Sequence, residues 1–84
     1  SIKNLKKDIN YVLGDVIEYT LDVSTLKNKV NKGDAIIDEA IETFDALIAK
    51  VHVKNVENKK QHFKAINLEL ETKAKALVEK INAI

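Results

Sequence analysis

Apolar residues return every three or four positions along most of this chain, the spacing of a helix with one buried face. The longest stripe is Val56, Phe63, Ile66, Leu70, Ala74, Leu77, Ile81 and Ile84, which after a first step of seven predicts one helix over about residues 56–83. An earlier stripe of Ile2, Leu5, Ile9, Val12, Leu13, Val16, Tyr19 and Thr20 predicts a helix over about 2–22, with Ser1 as its N-terminal cap. Between them, Ile36, Ile37, Ala40, Ile41, Phe44, Leu47, Ile48 and Val51 form a broad apolar face over about 35–52. Asp34, directly after Gly33, is the expected cap of that second helix.

The boundaries are less sharply written. Ser24, Thr25, Asn28, Asn31 and Gly33 mark a loop, although Leu26 and Val30 could continue the period as a short helical turn over 25–31. If the first helix runs on to about Asn31, Gly33 becomes its left-handed cap. Around His52 to Asn55 the second stripe loses phase, since its extension would bury Asn55, Asn58 or Lys59, and His62. A turn is expected there, with Asn55 capping the third helix. A continuous helix from Asp34 to Ile84, bent near His52, is the alternative. Gly14, inside the first helix, costs about 1 kcal/mol relative to alanine and predicts the close approach of another helix. Tyr19 should sit at the core edge and Tyr11 on the polar side.

These stretches predict an all-α, antiparallel three-helix bundle forming a single domain over residues 1–84. The length suffices for one small domain, and its core is marginal unless the helices pack regularly. The third helix, read as longer than the second by about ten residues, or ~15 Å at 1.5 Å per residue, should leave part of its apolar face overhanging.

Composition then narrows the function. The net charge is +1, from 14 basic and 13 acidic residues, so no global field draws in nucleic acid or an anionic membrane. All the basic residues are lysine, and without arginine the chain has no planar fork for two-point contacts to phosphate or guanine. Without cysteine there is no disulfide, thiolate nucleophile or zinc-thiolate site, and a cytoplasmic location is expected. No apolar run approaches the ~20 residues of a membrane span.

The remaining polar groups offer little chemistry. Asp8, Asp15, Glu18 and Asp22 share one side of the first helix, and Asp38, Glu39, Glu42 and Asp45 one side of the second. Converging carboxylates could hold a divalent cation, but solvated faces are the expectation, so no metal or cofactor is assigned. His52 and His62 could meet across a tight hairpin, yet neither has a glutamate three residues before it, as a di-iron bundle requires. No serine or threonine stands at a spacing that suggests a relay with histidine and carboxylate, so no catalytic residue is expected.

The chain resembles all-helical chorismate mutases in size and helix number, but it lacks the arginines that hold their substrate. Leu13, Gly14 and Asp15 resemble the start of the attachment motif of acyl carrier proteins, where Val16 replaces the required serine. Neither activity follows.

Charge is unevenly placed: +2 over residues 1–32, −4 over 33–53 and +3 over 54–84. The acidic second helix and basic third helix should therefore select each other as neighbours. The expected function is that of a non-enzymatic protein-interaction or structural module. Its candidate interface is the strip Ala65, Leu68, Thr72 and Ala76, opposite the third helix's main stripe, through which two copies could associate. The alternative is weak, sequence-independent nucleic-acid association through Lys54, Lys59, Lys60 and Lys64.

Overall fold

The computed structural model describes residues 2–84, so the expected cap Ser1 and the side chain of Ile2 lie outside the described residues. Three helices, α1 (Ile2–Leu26), α2 (Val30–Val51) and α3 (Lys59–Asn82), each pack against the other two in an elongated bundle of 47 × 17 × 16 Å. The core draws equally on all three: Leu5, Ile9, Leu13 and Val16 from α1; Ile36, Ala40, Leu47 and Val51 from α2; Ile66, Leu70, Leu77 and Ile81 from α3. Each buried valine, leucine or isoleucine of this core stabilises the fold by about 1.5–3 kcal/mol. None of the described helices is long and apolar enough to cross a membrane.

The first connection differs from the expected one. α1 continues to Leu26 and ends in a Schellman motif, in which Asn28 takes the left-handed conformation (φ 56°). The Asn28 amide donates to the Thr25 carbonyl at 3.1 Å and the Lys29 amide to the Ser24 carbonyl at 2.7 Å. The short turn anticipated over 25–31 is therefore the end of α1, a tight reversal and the start of α2. Gly33 caps nothing, and Asp34 lies inside α2 rather than at its N-cap, which is Lys29 with no side-chain hydrogen bond. Gly33 is instead buried against α1: a Cβ there would lie 2.5 Å from the Ser24 Oγ.

The second connection occupies residues 52–58, so α2 and α3 are separate helices. The expected cap, Asn55, takes a left-handed conformation (φ 62°), and Asn58 caps α3 by accepting the Gln61 amide on Oδ1 at 3.1 Å. Both asparagines suit a helix start, and the chain uses the second because the first is needed to turn the backbone. Val56 is half-buried in this connection instead of opening the α3 stripe, which begins at Phe63. With 24 residues in α3 against 22 in α2, the expected ten-residue overhang is absent.

Two buried hydroxyls are satisfied by their own helix, Thr20 Oγ1 donating to the Val16 carbonyl at 2.7 Å and Ser24 Oγ to the Leu21 carbonyl at 3.3 Å. Tyr11 is exposed as expected. Tyr19 lies further out than a core-edge position, 42% exposed, with its hydroxyl donating to Asn82 Oδ1 at 2.9 Å.

Candidate functional site

α3 lies against one side of the α1–α2 pair and leaves the other side open. On α1 this open side carries Asn10, Gly14, Ile17 and Leu21, and on α2 it carries Ile37, Ile41, Phe44 and Ile48, each set stepping by three or four residues. Ile41 is 46% exposed and Leu21 49%, while Ile17, Ile37, Phe44 and Ile48 are half-buried. Between the helices, Asn10, Leu13, Gly14, Ile17, Ile41 and Phe44 surround a depression of about 200 Å³. Eleven residues separate Asn10 from Leu21 and Ile37 from Ile48, so the two rows run ~17 Å at 1.5 Å per residue, three helical turns, and the depression lies within them at residues 10–17 and 41–44.

Gly14 forms part of its floor. The close neighbour anticipated for it is not there: a Cβ built at Gly14 would meet nothing within 4 Å. Helix interiors lose about 1 kcal/mol to glycine relative to alanine, and no packing within the described residues accounts for the loss at this position. Gly33, which reads as a cap in the sequence, is the glycine that internal packing requires.

Electrostatics distinguish the lips of this groove. Asp34, Asp38 and Asp45 precede or follow Ile41 by seven, three and four residues and line the α2 lip, while Glu18, three residues before Leu21, lines the α1 lip and Asp22, four beyond Glu18, lies further round the helix. All five are exposed. Among the described residues the ion pairs run elsewhere, on the α2–α3 side: Lys80 with Glu39 at 2.6 Å and Lys50 with Glu69 at 2.7 Å. One of these joins an α3 lysine to an α2 acid as the charge pattern anticipates, and the other runs in the opposite sense. The α2 acids beyond Glu39 have no ion-pair partner inside 4 Å among the described residues.

The candidate residues of the sequence reading are distributed over two other surfaces. Ala65, Leu68, Thr72 and Ala76 are exposed together on the outer face of α3, with Leu68 64% exposed. Lys54, Lys59, Lys60 and Lys64 are also exposed, and none forms an ion pair among the described residues. Lys54 and Lys59 join His52, Val56, His62 and Phe63 around a cavity of about 330 Å³ at the α2–α3 connection. Lys60 and Lys64 lie outside it. The hairpin thus brings the two histidines to one cavity, where the His62 Nε2–H donates to the Lys50 carbonyl at 2.8 Å. Among the described residues, no three of His, Cys, Asp and Glu gather in a way that could hold a metal ion.

Sequence reasoning missed the α1–α2 groove. Its trace was the breadth of the α2 apolar face, which extends from Ile36 to Ile41 around the helix and exceeds what two neighbours cover. Comparison of the chain with protein families, with curated proteins and with solved structures finds no match.

Proposed function

We propose that this chain is a non-enzymatic helical module that binds another protein through the groove between α1 and α2. The observation that carries the reading is the groove itself, a three-turn row of Ile37, Ile41, Phe44 and Ile48 on α2 beside Gly14, Ile17 and Leu21 of α1, with Ile41 and Leu21 about half exposed. Single exposed apolar residues are ordinary on soluble domains, whereas a contiguous apolar depression rimmed by charge is the form of an interaction site. A cytoplasmic location accompanies this reading, in keeping with the cysteine-free sequence.

A photo-reactive amino acid placed at Ile41, with a control at Leu68, tests the reading in the cells that make the protein. Adducts to another protein from position 41 and none from position 68 are expected. Adducts from position 68 alone would move the interface to the α3 strip of Ala65, Leu68, Thr72 and Ala76. Adducts of twice the 9.4 kDa chain mass would then identify a self-associating dimer.

Nucleic-acid association is the second reading, and it is supported by the exposure of Lys54, Lys59, Lys60 and Lys64 without ion-pair partners among the described residues. Phosphate-driven binding weakens steeply as salt rises, so gel-shift titration at several salt concentrations separates it from protein binding.

A further inference from the structure

We infer that the occupant of the α1–α2 groove is an amphipathic helix of a separate protein, about three turns long, whose apolar stripe is flanked by lysine or arginine. The inference rests on the protein-binding reading above and adds the chemistry of the partner. The three-turn apolar row on α2 sets the length of the occupant, and with Ile17 and Leu21 of α1 beside it the groove is the open fourth position of a helical bundle.

Charge identifies the flanks. Glu18 on one lip faces Asp34, Asp38 and Asp45 on the other, and none is neutralised by an ion pair among the described residues. Among the described residues, lysine enters this surface near the N-terminal end of α1, as Lys3, Lys6 and Lys7, the last 5.8 Å from the Tyr11 ring. An occupant therefore meets carboxylates along most of its length and lysine at one end, which also favours one direction of docking. The same carboxylates disfavour a second copy seated groove to groove, because a two-fold contact would set acid against acid. The outer face of α3 in a second copy offers lysines but only Leu68 as a large apolar residue, too little to fill three turns.

Gly14 supplies the second observation. Its missing side chain serves no contact within the described residues, and it opens the floor where a docked helix would come closest. The occupant should present a small residue there.

Binding of fluorescent fourteen-residue helical peptides to the full chain, read by anisotropy, tests the inference. One peptide carries a leucine stripe flanked by lysine, and the other the same stripe flanked by glutamate. The chain's net charge of +1 gives the lysine peptide no general attraction, so preference for it must come from a local acidic surface. Binding of the lysine peptide at least ~10-fold tighter than the glutamate peptide is expected, weakening at high salt. The double variant Asp38→Lys with Asp45→Lys should erase the preference. Gly14→Leu should weaken binding without loss of helicity, and Leu68→Glu should leave it unchanged. Equal binding of both peptides at the groove would overturn the charge assignment while leaving a protein-binding groove. Failure of the lysine peptide to bind, with photo-adducts still forming from position 41, would overturn the basic-helix occupant alone. Failure of both measurements would overturn the groove as well. Sensitivity to Leu68→Glu would place the contact on α3, and a light-scattering mass of twice 9.4 kDa without peptide would make the occupant a second copy.

Discussion

Ser24 of α1 and Gly33 of α2 are packed against each other, and a methyl group on Gly33 would lie 2.5 Å from the Ser24 hydroxyl oxygen and 2.6 Å from its Cβ. The hydroxyl could rotate away, but the Cβ is fixed to the α1 backbone, so any side chain at position 33 must push the two helices apart. Gly14, near the middle of α1, has open space where its side chain would be. The two helical glycines therefore answer to different constraints, one to the fold and the other to the groove.

Opposite responses to one substitution follow. Gly14→Ala should stabilise the chain by about 0.5–1 kcal/mol, the gain in helix propensity at a site where the new methyl group displaces nothing. Gly33→Ala should destabilise it by about 1–3 kcal/mol, the cost of overpacking exceeding the same propensity gain. Reversible thermal unfolding resolves both, since 1 kcal/mol shifts the Tm of a domain this size by about 4–8 °C. Changes of the same sign at both glycines would contradict the assignment.

Core truncations should separate fully buried from half-buried positions. Leu77→Ala and Leu70→Ala should each cost about 2–5 kcal/mol, because the side chains are enclosed by all three helices' aliphatic residues. Phe63 lies half-buried at the edge of the core, so Phe63→Ala should cost less than Leu77→Ala despite removing the larger side chain. Chemical denaturation with an equal or greater loss at Phe63 would mean the α3 stripe is anchored at its N-terminal end instead.

The helices themselves were written plainly in the sequence, because Ile9, Leu13 and Val16, or Ile66, Leu70 and Leu77, can share a buried face only on a helix. Their ends were not. Gly33 followed by Asp34 reads locally as a helix stop followed by a helix start, and only the tertiary contact with Ser24 gives that glycine another purpose. Asn28 and Asn55 both take left-handed backbone, a role asparagine tolerates but does not announce as glycine does. The groove was hidden for a related reason. Periodicity says that Ile41 and Leu21 border an apolar face, but whether α3 covers that border depends on which side of the α1–α2 pair it takes.

Those helix ends offer a further test. Asn58→Ala should cost about 0.5–2 kcal/mol, since it removes the acceptor of the Gln61 amide at the start of α3. Asn55→Ala should act through left-handed backbone strain rather than a missing cap, so Asn55→Gly should be neutral or stabilising. Circular dichroism with thermal melting distinguishes the two sites, and a stabilising Asn58→Gly would instead restore the cap to position 55.

The two ion pairs between α2 and α3 should contribute little. Lys50 and Glu69 are 49% and 32% exposed, and Lys80 and Glu39 are exposed to a similar degree, so solvent screens both pairs. Lys80→Ala and Lys50→Ala should each change stability by less than about 1 kcal/mol, and less still at high salt. A larger loss that persists in salt would show that the side chains hold the helices together through their aliphatic stems.

Amide chemical-shift mapping of the isotope-labelled chain during titration with the lysine-flanked helical peptide tests the central proposal most directly. Perturbations concentrated at residues 10–21 of α1 and 37–48 of α2, reversed by the Asp38→Lys and Asp45→Lys variant, are the expected result. Perturbations running along Ala65, Leu68, Thr72 and Ala76, or clustered at Lys54, Lys59, Lys60 and Lys64, would contradict it and return the binding surface to α3.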